Sequence, residues 1–336
     1  MQIIFVAGSS RSGTTLMSRI LNQHSTIFSF NELHFFEQLC ETERLNEVMN
    51  QDSALALADK LSGIQNEGFL LFNEKNKYLK IAKEILETLK PENFTSLNIY
   101  KAFINKFVTD QSKINGCDQT PRNVLYLKEI IENIPEAKVI CMVRDPRSVL
   151  LSQKSKWKRK FLGAKNIPFK ETIRSYFNYH PYTISKLWKA SSSHTVQWKG
   201  HEKVLTIKFE DLVENPLLKV KEICIFLGIP YEEKMLQVSH IGSSHKTDDK
   251  EAAMGVSSSA KETWKKGGLT KAELFICQKV NTEMMDQLGY LKENIKSIPY
   301  FSLAFQGIIF PVKMSIALML NLNRVKNLKQ AILRRL

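Results

Sequence analysis

The octet Gly8, Ser9, Ser10, Arg11, Ser12, Gly13, Thr14 and Thr15 gathers small and hydroxylated residues around one arginine. A loop of this kind can fold its backbone N–H groups around an anion, and a helix starting behind it adds unsatisfied donors and the positive end of its dipole. Two glycines with four residues between them, then a hydroxyl pair, come close to the Gly-x4-Gly-Lys-Ser/Thr pattern of nucleoside triphosphatases. The lysine is absent, and Thr14 stands in its place. Triphosphatases use that cation on the β and γ phosphates, so the octet suits a smaller 5'-anion with Arg11 as its nearest charge. Two further groups carry chemistry. Glu32 and His34, two residues apart, set a carboxylate beside an imidazole, and either can take a proton from a hydroxyl. Arg144 follows an apolar run and precedes Asp145-Pro146, which makes it a strand-end cation at a helix N-terminus and a reasonable anion contact.

These groups need elements to aim them. Ile3 to Ala7 is an apolar strand run, and Leu16 to Leu21 continues from the octet as a helix. Phe28 to Phe30 forms a short apolar strand pattern ahead of Glu32, and Lys138 to Val143 forms another ahead of Arg144. Asp145 reads as an N-cap with Pro146 at the first helical position, which places Ser152 further along that helix. The repeated strand-then-helix order predicts an α/β architecture of P-loop type: three layers, with a central parallel sheet flanked by helices.

The octet followed by Leu16 resembles the 5'-phosphosulfate loop of the sulfotransferase family, whose sulfuryl donor is 3'-phosphoadenosine 5'-phosphosulfate (PAPS). Arg144 and Ser152, eight residues apart, resemble the pair with which that family binds the donor's 3'-phosphate. Glu32-Leu33-His34-Phe35-Phe36 is similar to the Glu-x-His-Phe-Phe segment of heparan-type members, and the spacing from His24 to Glu32 resembles the tyrosylprotein branch. The resemblance implies a metal-free, in-line transfer of a sulfuryl group to an acceptor hydroxyl. In it Glu32 is the catalytic base, with His34 next in line, and Arg11 stabilises the leaving phosphate oxygen. Ser10, Arg11, Ser12, Gly13, Thr14 and Thr15 hold the 5' end of the donor, and Lys265 and Lys266 are further 3'-phosphate candidates. The acceptor implied is a glycan or glycolipid hydroxyl, with a peptide tyrosine or a lipid second. A base works best with its pKa raised toward the working pH, and Phe30, Phe35 and Phe36 are the expected apolar surroundings for Glu32. One departure stands out: many relatives have Lys-Thr-Pro where this chain has Gln119-Thr120-Pro121, so either Arg11, Arg122 or another cation compensates for the missing charge or the activity is weak.

Downstream, Lys203 to Leu212 reads as a strand entering a turn, Pro216 to Gly228 as a capped helix, and the segment before Leu288-Gly289-Tyr290 as a closing helix. With 336 residues, 43% of them apolar, the chain can bury a large core, and no repeat or low-complexity linker divides it. We expect one sulfotransferase-like domain over residues 1–295, with a helical insertion at about 43–113. The net charge of +14 favours anionic partners, and Gln153 to Phe161 concentrates cations just after the second phosphate segment. A funnel for donor and acceptor accounts for this better than nucleic-acid binding, since no nucleic-acid motif accompanies it. Five cysteines without paired spacing argue against a disulfide framework or a metal pattern. Together with the absence of a leader pattern before the first strand, they suggest a cytoplasmic protein.

Residues 296–336 form a tail of a different character. Ile298 to Leu320 is long and apolar, but Gln306, Pro311 and Lys313 interrupt it, and a central lysine costs about 3 kcal/mol on insertion scales. From Val312, apolar Ile316, Met319, Leu322, Val325, Leu328 and Ile332 recur at helical spacing, interleaved with or followed by Arg324, Lys326, Lys329, Arg334 and Arg335. That pattern predicts a basic amphipathic helix on an anionic membrane surface; docking on the domain or on a second subunit is the competing expectation. Two other functions remain open at this level: a P-loop nucleotide kinase or phosphotransferase, and a non-catalytic nucleotide- or membrane-binding protein.

Overall fold

The structure is a computed structural model that describes residues 1–69, 71–72, 74–161, 168–238, 255–257 and 261–322. Five strands, β1 (Ile3–Gly8), β2 (Ile27–Ser29), β3 (Asn115–Asp118), β4 (Ala137–Val143) and β5 (Val204–Lys208), form one sheet in the order β2-β3-β1-β4-β5. All four pairings are parallel, and Gly8 of β1 lies opposite Met142 of β4. Every residue of β1 is buried, as expected for a central strand covered on both faces. Alternation divides its side chains. Ile3, Phe5 and Ala7 enter one apolar cluster while Ile4 and Val6 enter the other.

The first cluster is roofed by α2 (Gln51–Glu67), α3 (Leu79–Leu86) and α4 (Ser96–Asp110), which occupy most of the stretch read as a helical insertion. The second is closed by α1 (Thr14–Asn22) and α10 (Pro216–Leu227), the latter ending at Gly228. A helix α5 (Leu127–Asn133) links β3 to β4. A third cluster joins α6 (Pro146–Lys154), α8 (Pro181–Gln197) and α11 (Lys271–Gln287) around Trp188 and Met285. A short helix α7 (Phe169–Asn178) precedes α8, and α9 (Phe209–Glu214) continues directly from β5. The sheet therefore has helices on both faces, and the carboxyl ends of β1, β3 and β4 open on one edge. The chain leaves β1 toward β2 on one side, whereas β4 lies on the other, a switch point where α/β sheets bind ligands.

The tail differs from its sequence expectation in extent and orientation. Helix α12 (Tyr300–Asn321) begins twelve residues ahead of Val312 and carries Pro311 in its interior. Gln306 and Lys313 do not interrupt it: the backbone carbonyl of Gln306 lies 3.2 Å from His180 Nε2, and the Lys313 side chain turns toward the domain, its Nζ donating to Tyr179 O at 3.1 Å. Asn321 is buried between Arg174 and Asn178, at 2.9 Å from each. Val325, Leu328, Ile332 and the cations Arg324, Lys326, Lys329, Arg334 and Arg335 lie outside the described residues, as do Ser258 and Ser259.

Candidate active site

The octet is a tight connection from β1 to α1. Gly8 sits at φ +147°, and a Cβ there would fall 2.2 Å from Met142 O of the adjacent strand. Gly13, at φ +97°, is the N-cap of α1, and a Cβ would fall 2.4 Å from the Phe209 ring. Neither position has room for a side chain. Arg11 between them also takes a left-handed conformation at φ +78°, uncommon for a branched-off long side chain and a mark of a strained, over-determined loop. Ser12 N donates to Ser9 O at 3.1 Å, which closes the turn. Ser10 and Thr15 are exposed, whereas Ser12 and Thr14 are buried. The Ser12 hydroxyl is fully buried and finds no partner among the described residues.

The second phosphate segment comes against this loop from β4. Arg144 NH1 donates to Arg11 O at 3.2 Å, and Arg11 Nε donates to Ser152 Oγ at 2.9 Å. Residues far apart in sequence thus meet: the loop arginine, the strand-end arginine and the helix serine form one group. Arg144 lies 4.2 Å above the Phe209 ring and its carbonyl accepts from Trp188 Nε1 at 2.9 Å. Burial pulls its pKa down while Glu210 and Asp145 push it up, and a guanidinium remains charged throughout. Asp145 caps α6 through a 2.8 Å bond from Arg147 N and forms a buried ion pair with Arg147 at 2.7 Å. Arg147 in turn lies flat on Trp264 at 3.8 Å. Glu210, whose pKa burial raises, receives Asp145 N at 3.0 Å and Tyr290 Oη at 3.0 Å.

The acid-base pair stands at the ends of β2 and β3. Glu32 Oε2 is 3.4 Å from His34 Nε2, and Glu32 Oε1 accepts from Gln119 Nε2 at 3.4 Å. His34 is held at φ +52°, with its N–H on Thr120 Oγ1 at 3.2 Å, its Nδ1 3.2 Å from Glu37 and its ring against Phe69. The expected apolar nest around Glu32 is absent. Phe35 and Phe36 pack inward with Tyr100, Phe30 packs with Phe103, and the Glu32 side chain keeps 46% of its surface open. Removal from water raises the Glu32 pKa, but His34, Gln119 and the charge of Lys156 outweigh it, so the carboxyl lies below its ordinary value. The pKa expectation therefore fails: the phenylalanines belong to the core, and hydrogen-bond partners replace them.

The cations near the Gln119 segment have partners of their own. Arg122 pairs with Glu37 and Arg11 bonds Ser152, while Lys156 acts on Glu32. Lys156 belongs to the basic run after α6, whose charge the sequence made plain but whose direction it did not. Lys265 and Lys266 lie on a 3-10 turn at Thr263–Lys266. Lys265 pairs with Glu262 at 2.7 Å and Lys266 is exposed. The turn reaches α6 through Trp264 beneath Arg147 and through Lys154, which donates to Gly268 O at 2.9 Å. Sequence reasoning missed Trp188, Glu210 and Arg147, all of which hold the Arg144 segment in place; only the Asp-Pro-Arg spacing hinted at the last. Among the described residues no group of three or more His, Cys, Asp or Glu side chains could hold a metal ion.

A family profile described as "Sulfotransferase family" matches residues 3–233, from the first strand through the helix that closes at Gly228. The chain belongs to the sulfotransferase family. The chain is 25% identical over 238 residues to protein-tyrosine sulfotransferase A of Caenorhabditis elegans, covering 69% of this chain and 51% of that one. It is 27% identical over 170 residues to carbohydrate sulfotransferase 1 of Mus musculus, covering 47% of this chain and 39% of that one. The chain thus spans about half or less of these two relatives' length. In fold it is similar to a sulfotransferase domain from the curacin biosynthetic pathway, with a TM-score of 0.51 at 18% identity, covering 87% of this chain and 98% of that domain.

Proposed function

We propose that this sulfotransferase moves a sulfuryl group from PAPS to an acceptor hydroxyl. The observation that carries the reading is the meeting of Arg11, Arg144 and Ser152 through two hydrogen bonds at the carboxyl edge of the sheet. The fit of the donor is supported by the loop itself: two glycine positions that exclude a Cβ, left-handed Arg11 and Gly13, and a buried unpartnered Ser12 hydroxyl. Residues Ser10 to Thr15 would hold the 5' end against the N-terminus of α1, and Arg144 with Ser152 the 3'-phosphate.

When bound, PAPS supplies an electrophilic sulfur and a phosphate leaving group. Glu32 accepts the proton of the acceptor hydroxyl as the new sulfur–oxygen bond forms and the bond to the phosphate oxygen breaks. The products are a sulfate ester and adenosine 3',5'-bisphosphate. Arg11, a planar cation in the loop, stabilises the charge left on the phosphate side. His34 orients Glu32 and stands next to it as an alternative base. The acceptor best supported is a glycan or glycolipid hydroxyl. Its support is the Glu32-x-His34-Phe-Phe segment and the likeness to a carbohydrate sulfotransferase, with tyrosine second on the tyrosine-sulfotransferase likeness. Five free, buried cysteines favour a reducing, cytoplasmic setting.

Donor discrimination tests the reading. Adenosine 3',5'-bisphosphate should bind at least ~10-fold more tightly than AMP, as one charge-assisted contact of about 1.5–3 kcal/mol implies. Arg144→Ala should bring the two affinities together in calorimetric titration. Equal affinities in the wild-type protein would refute the 3'-phosphate assignment.

A further inference from the structure

Helix α12 has two unlike faces. Gln306, Phe310, Lys313, Ala317 and Asn321, at helical spacing, meet the domain: Phe310 lies 4.9 Å from His180 and 5.4 Å from Tyr182, Lys313 lies on Tyr176 and Tyr179, and Ala317 and Asn321 are buried. The opposite side carries Phe301, Phe305, Ile308, Val312, Met319 and Leu322, with Ser315 the only polar side chain in the row. Their spacings of 4, 3, 4, 7 and 3 keep them on one stripe for the length of the helix. All are exposed, Phe301 at 95%. Of the 22 residues of α12 only 6% of the most apolar window is buried, although its mean hydropathy is 1.8. An uncharged apolar stripe of this length is far more than the scattered single apolar residues of an ordinary surface.

The geometry points to the surface of an anionic lipid bilayer as the occupant of this stripe, with α12 lying along the membrane rather than crossing it. Three observations favour this over a second copy of the chain or a spanning helix. Lys313, the one charged residue of α12, is tied to Tyr179 O and to two tyrosine rings on the domain side, which fixes the stripe outward and holds the helix against α7 and α8. The exposed row has no acidic residue, and the fourteen residues after it contain Arg324, Lys326, Lys329, Arg334 and Arg335 with no Asp or Glu. This charge matches anionic headgroups and would oppose a second copy with the same tail. Lastly, a helix with one face docked on a globular domain and the other uncharged and apolar but for Ser315 has the geometry of an interfacial element. Packing also links the docked face of α12 to the basic segment after α6. Lys313 sits 4.9 Å from the Tyr176 ring, and Tyr176 meets Trp157 at 5.7 Å.

The test is co-sedimentation of the full chain with vesicles of phosphatidylglycerol and phosphatidylcholine, and with phosphatidylcholine alone, over a salt series. The full chain should pellet with the anionic vesicles and lose binding as salt rises. Phe301→Asp/Ile308→Asp should weaken partitioning by at least about 30-fold, and the milder Phe301→Ser/Met319→Ser by about 10-fold. Both variants should bind adenosine 3',5'-bisphosphate within about twofold of wild type, which also shows that they are folded. A full chain that stays in the supernatant, or variants that pellet as well as wild type, overturns the proposal. A concentration-dependent dimer abolished by the variants, without vesicle binding, assigns the stripe to a second copy and equally overturns it. The docking stands apart from the donor reading: vesicle binding without bisphosphate binding would retain the first and reject the second.

Discussion

Glu32, the proposed base, has a pKa that partner interactions have lowered. Its carboxylate is held by His34 and Gln119 and feels Lys156, and these together exceed the opposing effect of burial. It is ionised and ready to accept a proton at neutral pH, at the cost of a weaker driving force than a raised pKa would give. Glu32→Gln should leave donor affinity within a few fold and reduce turnover by about 100-fold or more. The effect of His34 is separable through pH. In a base mechanism the acid limb of kcat/KM follows protonation of Glu32, so the wild-type limb should lie below the ordinary glutamate range. Removing His34 leaves burial less opposed, the Glu32 pKa rises, and the limb should move to higher pH in His34→Ala. A profile that does not move would transfer the base role away from Glu32.

At the level of elements, the site depends on how closely the loop after β1 approaches β4 and α9. The Gly13 φ of +97° and the Phe209 ring behind it leave no space for a methyl group, and that ring is also the one on which Arg144 rests. Gly13→Ala should therefore cost about 1–3 kcal/mol in backbone strain and displace Phe209, weakening bisphosphate binding together with thermal stability. Normal binding in a stable Gly13→Ala protein would show that the loop is not the donor cradle. The Arg144 segment is secured by a different set of contacts: the Asp145 cap, the buried Asp145–Arg147 pair, Trp264 on Arg147, and Glu210 beneath Asp145. The turn carrying Lys265 and Lys266 is thereby fastened to α6, although the lysines themselves face solvent or Glu262.

For the whole molecule, a donor that bridges the loop after β1 and the segment after β4 should stabilise the folded chain. At 100 times its Kd, a ligand selective for the native state adds about 2.7 kcal/mol to unfolding. Adenosine 3',5'-bisphosphate should thus raise the melting temperature in scanning calorimetry more than equal concentrations of AMP or of ATP with magnesium. A larger shift from magnesium ATP would favour a phosphotransferase instead. The net charge of +14 adds a general attraction for such anions, whereas on the proposed reading the Arg11, Arg144 and Ser152 geometry distinguishes among them.

Local features were legible in the chain wherever a short segment contains its own physical reason. The β1 run and its glycine loop, the Asp145 cap with Pro146, and the helix closed at Gly228 each depend on neighbours in sequence, and each is found where the pattern put it. The parallel sheet followed from repeated strand and helix order. What required tertiary structure was direction. Whether Phe35 and Phe36 face Glu32 or the core is decided by α4, whose Tyr100 takes both rings. Lys313, a polar break in an apolar sequence, becomes a residue that fastens α12 to the domain, because the fold places Tyr179 and Tyr176 beside it. A sequence states which groups are present and how far apart they lie along the chain. The energy of burying them depends on surfaces contributed by segments tens to more than a hundred residues away, and only the folded packing assigns those partners.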